Sequence, residues 1–347
     1  MRDSVVHDRG AGGPCHPPGK AIVKPQADRV PRLDNAKGAL ILMVIWGHLI
    51  EPAAFADSGA AAVYSAIYLF HMPAFAMLGG MVARPGPILP AIRRVATTLL
   101  LPLVVFQLLY WPFLWAFAPG RVGGALTPHW FLWYLASLAA WRLMLPLFTG
   151  MSGPVSILVA VSLAVAAGFM TEVDRTLSLS RTFVFFPAYL VGYRIAETSP
   201  SLTLPASRTA RIAFLIACLG AAGAGFSGWD FTWLYGSDPY VVRDTPQVHA
   251  ALTRLVVVAL GILTAILFVA ALPLRPGVLT SLGRLTLPVY LLHGFLVVPF
   301  WMLVPPVLSG STFAHLAACA IAAIVTGYGI AGAVIAFRSP PASPTAG

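Results

Sequence analysis

Three histidines lie about halfway along apolar stretches of this 347-residue chain: His48 in LILMVIWGHLIEP, His71 in AIYLFHMPAFAML and His293 in LPVYLLHGFLVV. A polar ring is costly in hydrocarbon, so an ionisable side chain at that depth marks a candidate functional site. An imidazole titrating near neutral pH is suited to taking a proton from a hydroxyl. Glu51 follows His48 at i+3 and shares its helix face, where a carboxylate orients the ring and raises its basicity. His48 and Glu51 are therefore the candidate catalytic residues. For each histidine the structural alternative is a ring bonded to a neighbouring helix.

Around them stand further groups able to hold a ligand. Asp34, Asn35 and Lys37 open the first apolar stretch, with Lys37 eleven residues before His48. Arg93 and Arg94 form a dibasic patch before a proline-broken stretch, fit for a ligand phosphate or for anionic lipid. Arg181 begins an aromatic-rich segment. Its guanidinium can grip a carboxylate, a phosphate or sugar hydroxyls in a forked geometry, or else reach the membrane interface as a snorkelling cation. Tyr290 precedes His293 by three residues, and Pro73 follows His71 by two, where a missing N–H bends a helix. The run from His129 to Tyr134 reads most simply as an interfacial aromatic belt.

The elements carrying these residues are membrane spans. The chain is 58% hydrophobic and only 10% charged, against roughly 25% charged in soluble proteins. Its continuous apolar runs reach about 17–25 residues, enough to cross the bilayer as helices. The expectation is an all-α polytopic membrane protein, a bundle of about ten transmembrane helices near 37–55, 61–83, 95–117, 129–148, 154–170, 182–198, 209–227, 250–272, 285–305 and 314–337. Residues 1–30 and 339–347 are expected as disordered cytoplasmic tails flanking one transmembrane domain over 31–338. The longest connection, about 228–249, carries Trp229, Trp233, Tyr235 and Tyr240, as a belt or a sugar platform.

Charge orients the array. With the amino terminus inside, all but five of the 22 Lys and Arg fall on the cytoplasmic side; Arg121, Arg175, Arg181, Arg243 and Arg254 are the exceptions. The positive-inside rule then places both termini in the cytoplasm and the chain in the cell membrane as a multi-pass protein. His48 lies about 16 Å above Lys37, and His71 and His293 reach a similar depth. The net charge of +10 is spread over loops, which argues against a nucleic-acid partner. Cys15, Cys218 and Cys319 show no paired spacing, so neither a disulfide framework nor a metal site is expected.

Taken together, these blocks resemble the membrane acyltransferase-3 family, most closely its fucose 4-O-acetylase-like branch. The resemblance rests on Lys37 and His48 with ten residues between them, the Asp34-Asn35-x-Lys37-Gly38 start, Phe70-His71-Met72-Pro73, Arg-x-x-x-Leu-x-x-Pro on the third helix, Trp130-Phe-Leu, Arg181 with Phe185-Phe186-Pro187, and Gly283 to His293. It departs where Lys37 replaces the arginine of many relatives and where Gly79-Gly80 replaces Ser-Gly. The resemblance implies transfer of an acyl group, usually acetyl, from cytoplasmic acyl-CoA to a hydroxyl of an extracytoplasmic or lipid-linked glycan of the cell envelope. It implies acyl-CoA as co-substrate, membrane lipid as surroundings and no tightly bound cofactor. His48 would be the general base, or the carrier of a covalent acyl group, and His71, Arg181, Tyr290 and His293 would line the substrate channel. The rival from the residues alone is a secondary transporter using histidines at mid-membrane.

Overall fold

The computed structural model describes residues 30–199, 207–305 and 310–338, and these are helical with no strands. The tails expected as disordered, residues 1–30 and 339–347, lie outside the described residues apart from Val30. The helices run α1 (Pro31–Ala54), α2 (Ser58–Met81), α3 (Ile88–Val95), α4 (Leu101–Phe117), α5 (Trp133–Thr149), α6 (Gly153–Ala166), α7 (Leu179–Thr198), α8 (Arg208–Phe226), α9 (Gln247–Ala271), α10 (Val278–Arg284), α11 (Thr286–Leu292), α12 (Gly294–Leu303) and α13 (Thr312–Arg338). Prolines open α1 and α6, where their missing N–H costs nothing. The Asp57 carboxylate caps α2 by accepting from Ala60 N at 2.8 Å.

Among the described residues seven helices are long and apolar enough to cross a membrane, and α11 with α12 makes an eighth if the bent pair is one span. Two of the ten expected spans fall short by composition or length. The α6 segment through Phe169 is short, and α7 carries Arg181, Arg194 and Glu197. The span expected at 285–305 is broken. Pro288 cannot donate back to Arg284, so the chain breaks at Leu285, and a 41° bend separates α11 from α12 at His293. The third expected span begins earlier, at Ile88, and passes through a π-helical turn, Ala96–Leu100, just before Pro102.

The middle of the bundle belongs to α1 and α2. Of their most apolar stretches 72% is buried, against 6% for α8, 17% for Ile88–Phe117 and 22% for α13, so these last three lie at the rim. Backbone contact at glycine makes this possible. A Cβ on Gly283 would stand 1.8 Å from the Asp34 carbonyl, which lets α10 meet α1; a Cβ on Gly192 would stand 1.9 Å from the Met77 carbonyl, which lets α7 meet α2.

Contacts sort the connections into two ends. At the end where α1 begins, Arg32 Nε donates to the Leu272 carbonyl at 3.2 Å, Asn35 Nδ2 to Arg275 O at 2.9 Å, and Arg194 Nη2 to Phe148 O at 2.7 Å. At the far end Arg175 pairs with Asp238 at 3.0 Å, and the Tyr64 and Tyr235 hydroxyls share a hydrogen bond of 2.8 Å. The 228–249 connection is a folded cap and not merely a belt. Arg243 ties Asp230 to Asp238 within it, at 2.8 and 3.2 Å, and its Tyr235 reaches the bundle interior.

Replacing Gly192 by Ala should cost about 1–3 kcal/mol of stability, because the clash is with backbone that cannot turn away. Gly329→Ala, whose Cβ would meet nothing within 4 Å, should leave it unchanged or slightly improved. Thermal unfolding of both variants in detergent checks this; equal midpoints would contradict the close α2–α7 contact.

Candidate functional site

A cavity of about 390 Å³ runs along the bundle. Lys37, Arg142 and Arg284 stand at its near end, His48 and His71 on its wall, and Glu51, Tyr64, Arg181 and Tyr235 towards its far end. The apolar sides come from α2, α5 and the Trp130–Leu132 turn.

His48 is 8% exposed, so its ring meets cavity and protein and not lipid. Its Nδ1 faces Glu51 Oε2 at 3.7 Å across one helical turn. The other Glu51 oxygen accepts from Arg121 Nη1 at 3.1 Å. That guanidinium lies against two indoles, 4.2 Å from the Trp301 ring and 5.3 Å from Trp130. Imidazole, carboxylate and guanidinium thus form a chain, and Arg121 supplies the charge that lets a buried carboxylate stay ionised beside the ring.

The backbone contributes to the same point. Pro52 stands four residues after His48 and has no N–H for the His48 carbonyl. Trp301 Nε1 takes that place, donating at 3.0 Å. Trp130 packs on the His48 ring at 4.5 Å and holds φ at 42°, a left-handed value that a bulky residue adopts only when its surroundings impose it.

The sequence-derived residues distribute unevenly. His293 stacks on His48 with ring centres 5.5 Å apart, so these two do meet. It does not line the cavity. Its Nδ1 donates to the Tyr290 carbonyl at 2.7 Å, which leaves Nε2 unprotonated. His71 lines the cavity with Nδ1 donating to Ile67 O at 2.9 Å and its edge against Tyr68. Tyr290 also lines it, its hydroxyl bonded to the Phe131 carbonyl. Arg181 lies 5.0 Å over the Trp133 ring and donates to Tyr235 O at 3.3 Å. Tyr235 is buried enough that its hydroxyl is pushed above its ordinary range and stays protonated.

Other expected ligand-binding residues stand elsewhere. Arg93 and Arg94 are exposed and do not line the cavity; the short helix that carries them ends before the π-helical turn that reaches it. Asn35 is committed to scaffolding: it donates to Pro273 O and Arg275 O and accepts from the Thr280 hydroxyl at 2.6 Å. Asp34 lies between Lys37 at 3.9 Å and Arg284 at 3.6 Å, outside the lining. His129 is buried away from the cavity, where desolvation lowers its pKa and Nδ1 accepts from Gly123 N. Among the described residues no three His, Cys, Asp or Glu side chains converge to hold a metal.

Sequence reasoning missed Arg121, Trp130 and Trp301. Nothing in the spacing joins Arg121 to Glu51, 70 positions away. The His48–Pro52 interval was a readable sign that the His48 carbonyl needs an outside donor.

The comparisons agree with this architecture. The chain matches the Acyl_transf_3 family, described as an acyltransferase domain, over residues 30–336. It is 27% identical over 237 residues to nodulation protein NolL of Sinorhizobium fredii (strain NBRC 101917 / NGR234), an alignment covering 63% of this chain and 61% of that protein. The chain thus spans less than two thirds of that curated relative's length. No solved structure matches it. A helical bundle whose sequence follows one family over residues 30–336 belongs to that family: the chain is a member of the Acyl_transf_3 family, whose domain is described as an acyltransferase domain.

Proposed function

We propose that this acyltransferase moves an acyl group, acetyl in the simplest case, from cytoplasmic acyl-CoA to a hydroxyl of an extracytoplasmic or lipid-linked glycan. The observation that carries the proposal is a cavity lined by cations at the near end and by Arg181 and tyrosines at the far end, with His48 between. In this reading residues 31–338 act as one transmembrane domain of ten crossings, both termini are cytoplasmic, and the protein resides in the cell membrane. The polyanionic donor enters at Lys37 and Arg284. The acceptor enters beneath Tyr235, where Arg181 and the stacked rings of Tyr64 and Tyr68 offer forked hydrogen bonding and an aromatic face.

The chemistry follows from the orientation of one ring. Nδ1 of His48 is turned to Glu51, which leaves Nε2 for the cavity. Neutral Nε2 takes the proton of the acceptor hydroxyl as its oxygen bonds to the thioester carbonyl carbon. The carbon–sulfur bond then breaks, and the imidazolium returns the proton to the departing CoA thiolate. Glu51 stabilises the imidazolium meanwhile, and Arg121 fixes Glu51. The acyltransferase family favours this reading over the transporter weighed from the sequence.

Transfer of radiolabelled acetyl from acetyl-CoA to glycan by the purified protein tests the proposal; substrate flux without transfer contradicts it. His48→Ala should lower turnover at least about 100-fold while the protein stays folded, and near-normal turnover would remove His48 as the base. Glu51→Gln and Arg121→Gln should each reduce kcat about tenfold or more. Because both act through one carboxylate, the double variant should be no slower than the slower single one. Losses that multiply would place Arg121 outside the chain. Engineered cysteines in 228–249 should react with impermeant reagents only from outside, and those in 84–94 only from inside. The reverse pattern inverts the topology.

A further inference from the structure

Arg142 has no counterpart in the chemistry described so far. It lies on the cavity-facing side of α5, one turn beyond Leu138, which packs where Gly79 leaves room in the last turn of α2. The side chain is partly buried at the near end of the cavity. Among the described residues it makes no hydrogen bond and no ion pair. Its polar neighbours on that side are the hydroxyls of Tyr134 and Tyr189. The other charged lining groups at this end are Lys37 and Arg284, both cations, and the nearby carboxylate, Asp34, lies between those two. A half-buried arginine that lines a cavity with no carboxylate opposite it is placed to receive an anion from outside the chain.

We propose that Arg142 is an anion anchor within the cavity, gripping a phosphate of the donor from α5 while Lys37 and Arg284 approach it from the opposite wall. The inference rests on the acyl-CoA reading above. Distance along α1 supports it: His48 stands eleven residues beyond Lys37, about 16 Å of helix. That is comparable with the extended pantetheine arm between a thioester and its pyrophosphate. A thioester brought to His48 therefore leaves its pyrophosphate at the level of the three cations. Arginine suits this place because its fork takes two phosphate oxygens at once, which fixes the arm's direction as well as its depth.

Donor kinetics of the purified full chain in phosphatidylcholine nanodiscs test this, with acetyl-CoA compared with S-acetylpantetheine, which has the same thioester and arm but no phosphate. Arg142→Gln should raise the KM for acetyl-CoA about 10- to 100-fold. It should leave kcat/KM for S-acetylpantetheine within about twofold of the parent. Arg142→Lys should fall between, keeping charge without the fork. Equal losses on both donors would reduce Arg142 to a structural residue and overturn the proposal, as would an unchanged KM for acetyl-CoA. A defect appearing only when phosphatidylglycerol is added to the discs would assign the anion to a lipid headgroup and overturn it as well. A parent protein that binds acetyl-CoA and transfers normally while Arg142→Gln matches it fails this inference alone. A parent that transfers from neither donor fails the acyl-CoA reading and this inference with it.

Discussion

One carboxylate shared between a ring and a guanidinium organises the centre of this protein. Glu51 lies within the bundle, where an unanswered negative charge would be driven to neutralise, and Arg121 answers it at 3.1 Å. The second oxygen is thereby left for His48. Two indoles, in contact with each other at 5.0 Å, pack against the guanidinium, one of them strained at its backbone and the other bonded to the histidine's own carbonyl. Four elements, α1, the loop after α4, the turn before α5 and α12, thus converge on one side chain. A shift in any of them is felt at the imidazole.

That convergence depends on lipid being kept away, which is the work of the glycine contacts. Small residues let α10 lie on α1 and α7 lie on α2 at backbone distance, so the two central helices are enclosed while α8 and α13 face outward. In a bilayer, irregular backbone is tolerated only where it lines protein or a wet space. The π-helical turn at Ala96–Leu100 obeys this at Leu99, and Leu287 just beyond the Leu285 break also borders the cavity. The broken helices are therefore part of how the cavity is walled.

Local order in the sequence was legible, and long-range order was not. The pairing of His48 with Glu51 follows from helical spacing alone, as does the depth of His48 above Lys37. Helical segments occur where apolar runs mark them, and Pro288 is visible in the sequence even though the break it imposes was not anticipated. Arg121 could not be found this way, because a loop cation far along the chain carries no sign of the carboxylate it will meet. Arg93 and Arg94, exposed and off the cavity lining, show a related ambiguity. A dibasic pair looks the same whether it faces a cavity or a lipid surface, and only the packing of α3 decides. The His129–Tyr134 run hid two roles in one pattern: Trp130 lines the site, whereas His129 is buried away from it.

Pro52 denies the His48 carbonyl its helical donor and Trp301 supplies one from 253 positions away, a pairing of proline and indole that neither residue explains alone. Restoring an N–H at position 52 would give the His48 carbonyl a partner within its own helix and strand the indole; losing the indole would strand the carbonyl. Lineages that change one of these residues should change the other with it, so the two positions form a single heritable unit, visible as co-variation wherever the proline is retained or lost.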